Sequence, residues 1–118
     1  MKEEQASFKT KQFADKHIAV DKEGYLRNLD DWSKEIAEAI ALEENIALTQ
    51  EHWAIVDLLR EFYQTFDVSP AMRPLIKYVG IHLGKEKANS IYLLTLFPPS
   101  PARTASKIAG LPRPANCL

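Results

Sequence analysis

Cysteine occurs once in the 118 residues, at Cys117, one position before Leu118. A thiolate attacks sulfane sulfur, becomes a persulfide and can hand the outer sulfur to another thiol. One cysteine excludes an internal disulfide and any cysteine-cluster metal site. An unperturbed thiol has a pKa of about 8.5 and is only a few per cent ionised at neutral pH. Arg103, Lys107 and Arg113 precede Cys117 closely enough to favour the anion, whereas a terminal carboxylate opposes it. Most lone cysteines are buried small hydrophobes. A position beyond Pro112 and Pro114 is a poor core site, so the plain alternative is an incidental exposed thiol. His17, His52 and His82 are scattered, show no zinc-ligand spacing and lie away from the C-terminal segment. A self-contained cysteine hydrolase would lack its base and oxyanion hole. A carrier needs neither, because its partner's site supplies them, and transport of sulfur is therefore the expected chemistry.

The elements that must position this thiol follow from periodicity and punctuation. Gly110-Leu111-Pro112-Arg113-Pro114-Ala115-Asn116-Cys117-Leu118 has no apolar period, and its prolines forbid helix. Gly110 permits a swing at the base, and the prolines bias the rest toward extended polyproline backbone. From Gly110 to Cys117 such a tether spans roughly 22–25 Å. Residues 110–118 are accordingly expected to be a mobile C-terminal arm carrying the cysteine, residues 17–109 a globular domain, and residues 1–16 a flexible tail.

Within the globular part, Ile18 and Val20 alternate with polar neighbours before the turn residues Asp21-Lys22-Glu23-Gly24 and Tyr25-Leu26, which predicts a short hairpin. From Asp31 the period changes to that of a helix, with Trp32, Ile36 and Ile40 on one face and Asp30 or Asp31 as cap. Thr49 caps a second helix, with Glu51 in its first turn and Ile55, Leu58, Leu59, Phe62 and Phe66 lining one face. Ser69-Pro70 opens a third, with Met72, Leu75, Ile76, Val79 and Leu83 as its buried stripe and Gly84 as its stop. A fourth runs from Asn89 to Phe97, and a fifth opens at Ser100-Pro101 and closes at Gly110. The fold class is α+β, mainly α: a small N-terminal hairpin on a bundle of about five helices.

Composition agrees with a soluble domain, at 46% hydrophobic and 26% charged residues. No apolar run reaches the roughly 18 residues of a membrane span, and the polar start Met1-Lys2-Glu3-Glu4-Gln5 lacks a signal-peptide core, so the cytoplasm is the expected compartment. The net charge of −1 hides an asymmetry: residues 1–59 hold 7 basic and 13 acidic side chains, and residues 60–118 hold 8 and 3. A positive half can receive nucleic acid, an acidic protein face or an anionic sulfur species, or it is simply a solvated dipolar surface.

Several segments in order resemble the DsrC/TusE family: Asp21-x-x-Gly24-Tyr25-Leu26, Leu48-Thr49-x-Glu51-His52-Trp53, Ser69-Pro70-Ala71-x-Arg73, Asn89-Ser90-x-Tyr92-Leu93, and the stretch from Lys107 to Leu118. The resemblance implies a small β-hairpin attached to a mainly helical bundle, with Cys117 accepting and donating sulfur from a mobile arm; no cofactor or metal is expected. It also implies partners. TusE proteins receive persulfide sulfur from a TusBCD-type complex and pass it toward the tRNA 2-thiouridylase MnmA, which thiolates a wobble uridine. DsrC proteins serve dissimilatory sulfite reductase with a second cysteine on the same arm. That position here is Ser106, which favours the TusE branch over the dissimilatory role. Ala88 stands where the family usually has glycine, and Pro99-Ser100-Pro101 replaces Lys-Gly-Pro. A single-cysteine DsrC-like protein with another sulfur-handling or regulatory duty is the alternative.

A nucleic-acid-binding reading competes from another class. The helices flanking Asp67-Val68-Ser69 have the order of a helix-turn-helix, with Arg73 and Lys77 toward a groove. Near-neutral overall charge and the apolar stripe of the third helix favour a core role instead, so DNA is not an expected partner. Trp32 and Trp53 are expected to anchor the core, and His52 to be a structural hydrogen-bonder or part of a docking face. Arg73 is offered either as a support for the arm or persulfide, or as a member of a surface pair.

Overall fold

A computed structural model describes residues 8–13 and 15–115 of the chain. The hairpin is formed by β1 (Phe8–Phe13) and β2 (Lys16–Asp21), antiparallel with Phe13 opposite Lys16 and Phe8 opposite Asp21. This corrects the expected tail and hairpin. The first strand lies within residues 1–16, and Tyr25-Leu26 contributes only a single bridge, Val20 to Leu26. In the segment Phe8-Lys9-Thr10-Lys11-Gln12-Phe13 the two phenylalanines stand five apart, so no period-two alternation marks a strand. Its extended form comes from pairing with β2. Two strands alone are marginal in water. Phe13, Ile18 and Val20 join the common core, and Lys11 Nζ donates to Glu43 at 2.6 Å.

Five helices follow: α1 (Lys34–Glu43), α2 (Gln50–Phe66), α3 (Met72–Leu83), α4 (Ser90–Leu96) and α5 (Pro101–Ile108). Ser33, not Asp30 or Asp31, caps α1 by accepting from Ile36 N at 3.2 Å, and a 3-10 turn at Leu29–Asp31 precedes it. Trp32 is thus left outside the helix. Thr49 caps α2 in a reciprocal box: its backbone N–H donates to His52 Nδ1 at 3.0 Å. His52 Nε2 then donates to Leu96 O at 2.8 Å, tying α2 to the end of α4, so His52 is a structural hydrogen-bonder. Ile55, Leu58 and Leu59 are buried as expected, whereas Phe66 is 53% exposed.

The start of α3 differs from expectation for a definable reason. Pro70 was the expected first helical residue, yet α3 begins at Met72, with Ala71 as a cap that makes no side-chain bond. A helix beginning at Pro70 would need an N–H at residue 74 to bond back to the carbonyl of residue 70, and residue 74 is Pro74. Starting at Met72 places Pro74 in the first turn, where the missing donor costs nothing. Ser100-Pro101 has no such obstacle, and α5 starts at Pro101 as the same signal predicts.

α5 is the hub, packing against α1, α2, α3 and α4. Its small buried residues Ala102, Ala105 and Ser106 let neighbouring helices approach closely, and Ile108 fills the remaining space. Ile36, Ile55, Leu59, Leu75, Leu93 and Phe97 are fully buried around it, each contributing about 1.5–3 kcal/mol of burial. Among the described residues no helix is long and apolar enough to cross a membrane.

Candidate functional site: the root of the C-terminal segment

The chain leaves α5 through a locked root. Gly110 N donates to Lys107 O at 3.1 Å and Leu111 N to Ser106 O at 2.9 Å, closing the helix end. Gly110 has φ +77°, and a Cβ there would stand 2.7 Å from Trp32 Cγ, so glycine is required both by backbone and by space. The Trp32 indole N–H donates to Ile108 O at 2.8 Å. The Arg60 guanidinium lies 3.8 Å from the centre of the Trp32 ring and donates to Ala109 O at 2.7 Å. Burial pulls the Arg60 pKa below its ordinary value, and Asp57 partly opposes that pull. Ile108, Ala109 and Leu111 are buried. The glycine expected as a swing point is thus packed against Trp32, and the Leu111 N–H just beyond it is bonded to Ser106 O.

Beyond Leu111 the attachments change character. Ser69, read from sequence as a helix cap, instead donates its hydroxyl proton to Pro112 O at 2.6 Å. Arg113 Nη1 lies 3.0 Å from Glu23 in the turn after β2, with both side chains about half exposed. Pro114 is buried. Pro112, Arg113 and Ala115 form one wall of a groove of about 420 Å³, with Phe62, Val68 and Pro74 among the residues opposite.

Of the residues proposed to serve the thiol, Arg103, Lys107 and Arg113 gather around Glu23, and Arg73 stands apart on α3. Cys117 itself lies outside the described residues. Lys107 Nζ bonds Glu44 at 3.1 Å and sits 5.3 Å from the centre of the Tyr25 ring. Arg103 is exposed and shares a cleft of about 230 Å³ with Lys107, Glu23 and Glu44, so charges of both signs line it. The Tyr25 hydroxyl donates to Arg103 O at 3.3 Å, which explains why Gly24-Tyr25 is held against α5. Arg73 is exposed on α3 and forms no ion pair among the described residues, so it does not steady the described part of the arm. Lys77 is likewise exposed, while Leu75 and Val79 beneath are buried, in keeping with a core stripe. Ser106 is fully buried, and its Oγ has no hydrogen-bond partner among the described residues.

Trp32, Arg60, Ser69 and Glu23 are the functional positions that sequence reasoning missed or assigned otherwise. Three of these contacts join residues 76, 49 and 43 apart, and no local pattern records a donor aimed at so distant a carbonyl. Together they deliver the C-terminal segment to a fixed point on the surface, from which the remaining residues continue.

Known proteins share this fold and much of this sequence. The family described as DsrC like protein matches residues 12–118. Sulfurtransferase TusE of Buchnera aphidicola subsp. Schizaphis graminum is 50% identical over 101 residues, spanning 86% of this chain and 89% of that protein. The solution structure of Allochromatium vinosum DsrC superposes with a TM-score of 0.84 at 49% identity, covering 94% of this chain and 99% of that one. The oxidised γ-subunit of dissimilatory sulfite reductase from Archaeoglobus fulgidus gives 0.79 at 34% identity, over 92% and 99%. On fold, length and identity alike, the chain belongs to the DsrC-like family.

Proposed function

We propose that this chain is a cytoplasmic sulfurtransferase of the relay kind, with Cys117 as the carrier. The Cys117 thiolate attacks the outer sulfur of a donor persulfide. The donor's S–S bond breaks, the donor leaves as a thiolate, and Cys117 holds the sulfur as a persulfide. Transfer to the next thiol repeats the exchange in the opposite sense, so no external oxidant or reductant is needed. The donor is a TusBCD-type complex, and the recipient is an MnmA-type tRNA thiouridylase, which makes the contact with tRNA.

The observation that carries this reading is the placement of the chain's one cysteine a few residues beyond a rigidly held root, in a family whose relatives are named sulfurtransferase TusE. Ser106 favours the relay over service to sulfite reductase. The resemblance assigns that second role to a cysteine pair, and a buried hydroxyl cannot make the sulfur–sulfur bond. The test is a reconstituted relay with radiolabelled sulfur, containing the donor complex, this chain, the thiouridylase and tRNA. Label is expected in tRNA with the native chain and at background with Cys117→Ser. Equal labelling with both would refute the proposal.

A further inference from the structure

We propose that the groove between the start of α3, α4 and the start of α5 is a docking site for an acidic amphipathic helix of a partner protein. The inference goes beyond the relay reading and does not depend on it, since none of the residues lining the groove belongs to residues 108–115.

The groove follows from how α4 folds back on α3. Gly80 meets Ala88 so closely that a Cβ on the glycine would stand 2.8 Å from the alanine Cβ. The chain then returns along α3, and Ile91 and Leu94 line one hollow of about 340 Å³ with Met72, Pro99, Pro101 and Ala102. α4 buries Leu93 and Leu96 in the core. Ile91 and Leu94, three residues apart and so on a common face, stay 76% and 45% exposed. Two large aliphatic side chains kept in water beside an apolar hollow mark a contact surface.

Charge decides what covers it. Residues 72–100 carry Arg73, Lys77, Lys85 and Lys87 against a single carboxylate, Glu86. Arg73 stands about 100° further round α3 than Met72, with Lys77 one turn on, so both cations rim the groove. Both are exposed, and neither forms an ion pair among the described residues. Glu51, which reaches α4 from α2, is engaged by the Tyr92 hydroxyl at 2.8 Å. An apolar floor with a basic rim is complementary to a helix that carries apolar side chains on one face and carboxylates beside them. A phosphate backbone would use the cations but leave Ile91 and Leu94 in water, because its attraction is to charge. This chain's own α1 has exposed Glu35 and Glu38 but presents one large exposed apolar side chain, Leu42, so a second copy is the poorer fit.

The probe is a synthetic amphipathic helix, leucine on one face and glutamate on its flanks, titrated into the full isotope-labelled chain and followed by amide chemical shifts. Shifts are expected to concentrate on α3, α4 and residues 98–102, saturating with a Kd below about 1 mM. The same peptide with lysine for glutamate is expected to bind about tenfold more weakly, and added salt to weaken the glutamate peptide. Ile91→Asp is expected to weaken the glutamate peptide about tenfold, since it removes an apolar contact and adds a like charge. An aspartate in the first turn of α4 suits the helix dipole, so this variant is expected to keep its fold. Lys77→Glu is expected to lower affinity about fivefold and to flatten the salt dependence, and it serves if Ile91→Asp does not fold. No binding, shifts confined to other faces, or equal binding of both peptides would overturn the proposal. So would a duplex RNA that binds these residues more tightly than the peptide, or a native chain that sediments as a dimer while Ile91→Asp is a monomer.

Discussion

Residues 108–111 and residues 112–115 adjoin in sequence yet are held by opposite means. The first four close a helix, bury their side chains and give two carbonyls to an arginine and a tryptophan that stack on each other. The next four contain two prolines, bury only Pro114, and are tied by a hydroxyl and a half-exposed ion pair. On the proposed relay reading, the fixed root aims the segment that carries Cys117. The comparison teaches that a glycine before such a segment can serve close packing. Here Gly110 is the residue that permits the tightest packing.

The contrast can be broken most severely at that glycine. Gly110→Ala puts a methyl group into the Trp32 ring and a side chain at φ +77°, and a loss of about 3 kcal/mol or more is expected in denaturant unfolding. Arg60→Met keeps the aliphatic packing but leaves Ala109 O without its donor and removes the cation from the Trp32 ring. A loss of about 2 kcal/mol is expected, again read by denaturant unfolding. Ser106→Ala removes a buried hydroxyl that has no described partner beneath the same root, and should stabilise the fold by about 1 kcal/mol. On the distal side, Glu23→Gln removes only a half-exposed pair, and a change within about 0.5 kcal/mol is expected. A distal substitution costing as much as Arg60→Met would erase the distinction between the two segments.

Much of this was legible in the sequence, and the exceptions have physical causes. Thr49, Asn89 and Gly84 bound their helices as local rules predict, because caps act within three or four residues. The same Ser-Pro signal succeeded at residue 100 and misled at residue 69, where Pro74 displaced the helix start and freed the serine for the arm. β1 was hidden because its residues do not alternate and its conformation is set by the neighbouring strand. At the candidate site the arm's residues were readable from Gly110, Pro112, Pro114 and Cys117. The clamp was not, since Trp32 and Arg60 meet it only after the chain has folded across dozens of residues.

The most direct measurement is the intact mass of the protein after incubation with a persulfide donor, read under non-reducing conditions for the native chain and for Cys117→Ala. The account predicts a gain of one sulfur atom on the native chain, removed by dithiothreitol, and none on the variant. A native chain that stays unmodified while the donor loads a control thiol would contradict it.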